Sequence, residues 1–181
     1  MKKILIILAV VISIPVIYLT YSGLFASVVI EETEVGPLTF AYAEHKGDYS
    51  KIGPVMDQVY QDLLKDGLET YKGIGVYFDD PQMVKKEDLR SYGGSVIEEN
   101  DIEKFNKVKD KYKSMTTPKY LSVTAEFPIK TKLSFIIGVI KVYPKIGNYI
   151  KEKNYKTIAP PMEIYIENEK TVYVFPISEV K

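Results

Sequence analysis

The chain has 181 residues, with 24 lysine and arginine side chains against 24 aspartate and glutamate. Arg90 is its only arginine, which argues against nucleic-acid readers built on bidentate arginine contacts. It has no cysteine, so disulfides, thiol nucleophiles and thiolate metal sites are excluded, and the single His45 cannot by itself form a zinc site or a Ser-His-Asp triad.

Lys2 and Lys3 precede a run, Ile4 to Ile30, without a charged residue. As a helix rising about 1.5 Å per residue it would reach roughly 40 Å, more than the ~30 Å hydrocarbon core requires. Residues 1–30 are therefore expected to be an N-terminal transmembrane anchor, with Tyr18 and Tyr21 at the far interface. A cleaved signal peptide is the rival reading. However, Leu24-Phe25-Ala26 and Tyr21-Ser22-Gly23 both put a bulky residue first in a small-x-small pattern, so an uncleaved anchor is expected. Lysines before the run and Glu31, Glu32 and Glu34 after it point to a cytoplasmic N-terminus and an extracytoplasmic domain.

Residues 31–37 read as a polar linker, and residues 38–181 as one domain of ordinary size with halves at about 38–100 and 120–181. The first half opens with a strand, Leu38 to Ala43, and the turn Lys46-Gly47-Asp48-Tyr49. A helix from about Lys51 to Lys65 follows, with Ser50 as N-cap and Pro54 in its first turn. Its apolar residues Ile52, Val55, Met56, Val59, Tyr60, Leu63 and Leu64 fall at amphipathic spacing. Strands are predicted at Gly73 to Phe78 and Leu89 to Ile97, either side of an Asp79-Asp80-Pro81 turn. Asn100 to Pro118, rich in lysine and acids, reads as a solvated surface connector, with a lipid-headgroup patch as the alternative.

The second half has the same element order: strand Tyr120 to Ile129, helix from about Lys132 to Lys153 with a kink or break expected at Pro144, and strands Met162 to Asn168 and Thr171 to Ile177. The fold class expected is α+β, a duplicated βαββ module whose antiparallel sheet carries two helices on one face, preceded by one transmembrane helix.

Met162 to Asn168 alternates with period two, so Met162, Ile164 and Ile166 point into a core while Glu163, Tyr165 and Glu167 point the other way. Ile74-Gly75-Val76-Tyr77-Phe78-Asp79-Asp80 in the first half matches it, with Tyr77 in the place of Tyr165 and Gly75 in that of Glu163. If the two copies face each other, a carboxylate looks across at an empty glycine position, which is where a ligand is expected. A carboxylate on a partly dehydrated wall needs a positive or donor partner. A cationic aromatic ligand would supply one, with Tyr77, Tyr165, Tyr49 and Phe127 offering ring faces. The bland alternative is that Glu163 and Glu167 are solvated and paired with lysines. His45 reads as a strand-end residue rather than a catalytic base, and Asp79-Asp80-Pro81 as a turn rather than a metal site. Neither a metal nor a cofactor is expected.

Taken in order, Phe40-Ala41-Tyr42, Lys46-Gly47-Asp48-Tyr49, Val76-Tyr77-Phe78-Asp79-Asp80-Pro81 and Glu163-Ile164-Tyr165 resemble the GyrI-like domain, the duplicated module also used as the effector-binding domain of AraC- and MerR-type regulators. Within that superfamily the likeness is greatest to the testis-expressed ER-phagy receptors, single-pass proteins with such a domain. It extends over Tyr21-Ser22-Gly23-Leu24, Gly94-Ser95-Val96-Ile97 and Val123-Thr124-Ala125-Glu126-Phe127-Pro128. The resemblance implies a pocket between the halves that takes apolar, often cationic, compounds, with Glu163 at the position of a ligand-contacting glutamate. Those receptors keep the domain in the cytosol and carry a disordered tail with an autophagy-protein motif. The lysines here favour the opposite orientation and the sequence stops at Lys181, so the expectation is a shared domain without the tail-borne role. With no helix-turn-helix before the domain, a one-chain transcription regulator is not expected.

The reading is a membrane-anchored module binding small apolar, possibly cationic, molecules. One alternative is a hydrolase of reactive small molecules using Glu163 as general base, although no nucleophile-activating pair is evident, so an enzyme is not the favoured outcome. The other is a membrane-anchored protein-interaction scaffold; protein partners are not specified by the sequence.

Overall fold

A computed structural model describes residues 2–179, without the side chains of residues 5–10. Helix α1 (Lys2–Tyr21) leads into nine strands and three further helices: β1 (Ile30–Val35), β2 (Leu38–Lys46), α2 (Gly53–Lys65), β3 (Lys72–Tyr77), β4 (Arg90–Val96), α3 (Ile102–Asn106), β5 (Lys113–Thr117), β6 (Tyr120–Pro128), α4 (Lys132–Glu152), β7 (Tyr155–Thr157), β8 (Met162–Ile166) and β9 (Lys170–Glu179). The antiparallel sheet runs β1-β6-β9-β8-β3-β4-β2-β5, with the short β7 added to the far end of β9. Two βαββ units, β2-α2-β3-β4 and β6-α4-β8-β9, therefore meet at the central β3–β8 pair, as the repeat in the sequence predicts.

Both faces of this sheet are apolar, because its strands curl. One face buries Phe40, Ile74, Val76, Val96, Met162, Ile164 and Val174 with no helix over it. The curl brings the two edges together: the Gly36-Pro37 corner after β1 lies so close to Pro118, between β5 and β6, that a Cβ on Gly36 would stand 2.7 Å from the Pro118 carbonyl oxygen. On the other face α2 packs mainly over β2 and β4, with Val59 and Leu63 buried against Ala41, Ile97 and Phe105. There α4 packs over β6 and β9, with Ile137, Val142 and Ile146 buried against Val123, Phe127 and Tyr173.

Several elements depart from the sequence reading. The polar stretch expected to be a linker is β1, paired along its length with β6 from Ile30↔Ala125 to Val35↔Tyr120. Its glutamates hid it, because an edge strand keeps its place through backbone pairing while charged side chains face water. For the same reason the lysine-rich connector conceals β5, paired with β2. Ser50 does not cap α2. Asp48 instead accepts from the Ser50 amide at 3.0 Å and caps a short 3-10 turn, and α2 begins at Gly53. α4 runs through Pro144 as one helix; Pro144 and Ile140, whose carbonyl loses its intrahelical partner, are both exposed, so water can take that carbonyl.

The segment after α1 belongs to the folded body rather than to a free anchor. Ser22 is buried with its Oγ 2.8 Å from Thr131 Oγ1, and Lys141 donates to the carbonyls of Leu24 and Ala26, both at 2.6 Å. Among the described residues no helix is long and apolar enough to cross a membrane. The side chains of residues 5–10, in the first third of the proposed anchor, lie outside the described residues.

Gly94 lies opposite Tyr42 in the antiparallel β2–β4 pair, and an added Cβ would come within 1.9 Å of the Ala41 carbonyl oxygen. Since that neighbour is backbone and cannot turn away, Gly94→Ala is expected to destabilise the domain by about 3 kcal/mol, at the upper end of overpacking. Chemical denaturation measures this; an unchanged midpoint would contradict the close pairing of β2 with β4 at this position.

Candidate ligand site

The strand registers lay out the helix-covered face in rows. One row reads Ala125–Tyr173–Glu163–Gly75–Gly93–Ala43 and the next Phe127–Thr171–Tyr165–Gly73–Ser95–Ala41. Glu163 thus lies directly across from Gly75 at the seam between the halves, the asymmetry the repeat predicts. The glycine has a steric role. A Cβ there would stand 2.6 Å from the hydroxyl of Tyr77, so its absence lets that ring fold inward.

Glu163 is 5% exposed. Its face is therefore not the solvated outward face of the bland alternative but a second buried layer, roofed by helices. Tyr143 of α4 donates to Oε1 at 2.7 Å and Tyr165 donates to Oε2 at 2.8 Å. The hydroxyls of Tyr77 and Tyr165 are 2.6 Å apart. With the Tyr165 proton directed at the carboxylate, Tyr77 must donate to Tyr165, giving a chain Tyr77→Tyr165→Glu163. None of the ion pairs among the described residues includes Glu163. A buried acidic group is thus held by neutral donors alone.

The electrostatics follow from that arrangement. Burial pushes the Glu163 carboxyl above the usual carboxylate range, and the bonds from Tyr143 and Tyr165 pull it back only in part. Burial first, and then the charge of Glu163, hold the phenols of Tyr77, Tyr143 and Tyr165 well above their ordinary value, so they remain donors.

Of the residues expected at the site, Glu163, Tyr165 and Tyr77 come together. Tyr49 stands behind them: its ring meets that of Tyr77 edge-on at 4.8 Å, and its hydroxyl donates to the carbonyls of Asp79 and Arg90. Phe127 does not join. It shares the row of Tyr165 but lies two strands away, fully buried beneath Gly138 of α4 in the apolar core. Three contributors escaped sequence reasoning. Tyr143 supplies half of the carboxylate's donors, and the ring of Phe135 lies 5.8 Å from that of Tyr165. The Met56 methyl reaches over Gly73 beside Tyr165. Helical periodicity marked Met56 as apolar and α4 as a helix, but no local signal says that a phenol on α4 reaches a strand residue. Together Met56 from α2 and Phe135 from α4 form a roof of flexible apolar side chains over the seam.

The other sequence candidates resolve into structural roles. His45 Nδ1 is 3.1 Å from the buried Ser91 Oγ, a cross-strand contact between paired residues of β2 and β4. Asp79 grips Arg90 through both oxygens, and Asp80 accepts from the Gln82 amide at 2.8 Å, as a turn requires. A groove of about 570 Å³ lined by Glu44, His45, Lys46, Phe78, Arg90, Ser91 and Tyr92 lies away from Glu163. Its charges are already matched, Glu44 to Lys113, Lys46 to Asp88 and Arg90 to Asp79, so it offers no unmet demand to a ligand.

Residues 29–178 match the family described as the GyrI-like small molecule binding domain. Testis-expressed protein 264 of Homo sapiens is 31% identical over 158 residues, covering 82% of this chain and 48% of that protein. Its Mus musculus homolog is 29% identical over 168 residues, covering 87% and 52%. The chain therefore spans about half the length of the curated relatives it matches. Among solved structures, the EcmrR C-terminal domain superposes with a TM-score of 0.62 at 15% identity, over 84% of this chain and 99% of that domain. It shares the fold.

Because the folded protein holds the Glu163 proton more tightly than the unfolded chain does, this residue's contribution to stability is complete below the ordinary carboxylate pKa of roughly 4.3. That contribution is lost as pH rises through the raised folded value. Denaturation curves across this window should show wild type losing stability relative to Glu163→Gln as pH increases. Parallel pH profiles would contradict a buried, uncompensated carboxyl.

Proposed function

This chain belongs to the GyrI-like family, and from that premise we propose that it binds a small apolar cation at the seam between its two halves, with Glu163 as the counter-charge. The observation that carries the reading is the burial of a carboxyl whose oxygens meet two phenols and no cation. Such a group is stabilised most by a partner that brings positive charge without adding water, which describes a lipophilic cation. Tyr77, Tyr165 and Phe135 supply ring faces for it. In the state described here the roof is closed, so binding proceeds with displacement of Met56 and Phe135 and exchange of the Tyr143 hydroxyl for the ligand's charge. Both lid residues are partly exposed and sit on the edges of their helices, where their movement leaves the buried helix faces in place.

We further propose that the domain is tethered to a membrane by its N-terminal run. Support comes from the charge-free sequence between Lys3 and Glu31 and from the exposed apolar side chains Val11, Ile12, Ile14, Val16 and Ile17 of α1. The flanking charges favour a cytoplasmic N-terminus and an extracytoplasmic domain.

Titration with tetraphenylphosphonium, followed by tyrosine fluorescence or calorimetry, tests the site. The expected result is saturable binding weakened at least about tenfold in Glu163→Gln, the loss of roughly 1.4 kcal/mol or more that removing one charge partner entails. A neutral ligand of similar shape should discriminate little between the two proteins. Equal affinity of wild type and variant for the cation ends the ionic reading. For the tether, a cysteine introduced at Met83 of this cysteine-free chain should react with a membrane-impermeant maleimide in intact cells. Labelling only after lysis would reverse the orientation.

A further inference from the structure

α4 has two unlike sides. One packs on β6 and β9, while the other carries an apolar stripe, Phe135, Ile136, Val139 and Ile140, left open to solvent, with Ile136 58% and Ile140 67% exposed. Spacings of one, four and five residues place these side chains on one face across two helical turns. No part of the described chain covers it.

Two further observations say what does. The first is continuity. The N-terminus of α4 is fastened to the end of α1 through Thr131 and Ser22, and Lys141 clips α4 to the carbonyls of Leu24 and Ala26. The connector thus runs alongside the N-terminal half of α4, and it too displays apolar residues, Phe25 at 74% exposure and Val29. The second is charge. No acidic residue occurs from Phe127 to Lys151, whereas Lys130, Lys132 and Lys151 do, besides Lys141 and Lys145, whose ammonium groups turn to the connector's carbonyls, and the connector from Ser22 to Ile30 has no charge at all. An amphipathic helix with an apolar stripe, lysines and no acids is suited to an anionic interface.

We propose that the open face of α4, together with Phe25 and Val29, lies in the headgroup layer of an anionic phospholipid bilayer, the same membrane that holds α1. The proposal rests on the tether reading for its geometry. It extends that reading by seating the folded domain on the membrane rather than leaving it suspended beyond it. It also gives the ligand a route. Phe135, the lid residue against Tyr165, belongs to this stripe, and Tyr143 follows Val139 and Ile140 by four and three residues. The stripe therefore leads from the membrane-proximal end of α4 to the hydroxyl that binds Glu163, so lipophilic cations concentrated in the bilayer meet the lid without crossing water.

The absence of native cysteine makes the test direct. Full-length single-cysteine variants at Ile136, Ile140, Val16 and Met83 are labelled with an environment-sensitive fluorophore. They are reconstituted into phosphatidylcholine–phosphatidylglycerol vesicles whose acyl chains carry a nitroxide near the headgroup. Met83 serves as the reference, since it is exposed in the loop between β3 and β4, at the end of the sheet opposite to Thr131. The expected result is several-fold stronger quenching at Ile136 and Ile140 than at Met83, reduced when phosphatidylglycerol is omitted. Quenching at Ile136 and Ile140 no greater than at Met83 overturns the proposal, including the case in which a second copy of the chain shields them instead. The Val16 probe reports the tether separately: if it is quenched while Ile136 and Ile140 are not, the anchor stands and the seated domain falls. If Val16 escapes quenching, the tether fails, and the seating of the domain, which takes its geometry from that tether, falls with it.

Discussion

A single carboxyl placed out of water at the join between two copies of one unit constrains much of the central architecture. Glu163 faces Gly75 across the β3–β8 pair, so the acid belongs to one copy and the space beside it to the other. A duplicated fold with glutamate in both positions would force two like charges together in a dehydrated layer. With glycine in both, nothing would favour a charged ligand. Because Gly75 has no side chain, Tyr77 can turn its hydroxyl inward to Tyr165, and the phenols then form a directional chain ending on the acid. The arrangement satisfies hydrogen bonding without supplying a cation to the acid, which is the basis of the proposed ligand's charge.

Helix α4 connects this site to the rest of the molecule. Its buried side closes the core over β6 and β9, Tyr143 binds Glu163, Phe135 roofs Tyr165, and Thr131 and Lys141 hold the segment that leads out of α1. One rigid element thus carries an apolar core face, half of the acid's donors and the attachment to the N-terminal helix. In the proposed binding mode, displacement of Tyr143 acts on the same helix that grips the connector.

Much of this was legible in the sequence, in proportion to how local each signal is. Period-two alternation from Met162 to Asn168 and its counterpart around Gly75 gave the strand pair and the acid–glycine asymmetry, because a strand's two faces follow directly from residue order. Alternation gives a face, however, and not a distance along the sheet. Phe127, expected to offer a ring face to the ligand, lies on the same side of the sheet as Tyr165 but two strands off, under α4. The same rule fixes that Glu163 and Met162 point in opposite directions but does not say whether both directions are buried, and curling of the sheet decided that. Tyr143 was missed because its partner comes from a different element, as was β1, whose glutamates mask a strand held by backbone pairing.

The most direct test is a structure of the chain with a lipophilic cation bound. The cation is expected at the β3–β8 seam beside the Glu163 carboxylate, stacked against Tyr165 and Tyr77, with Met56 and Phe135 moved aside and the Tyr143 hydroxyl released. A cation lodged elsewhere, in the groove beside Tyr92 and Phe78 for instance, with Glu163 still bonded to both Tyr143 and Tyr165, would contradict it.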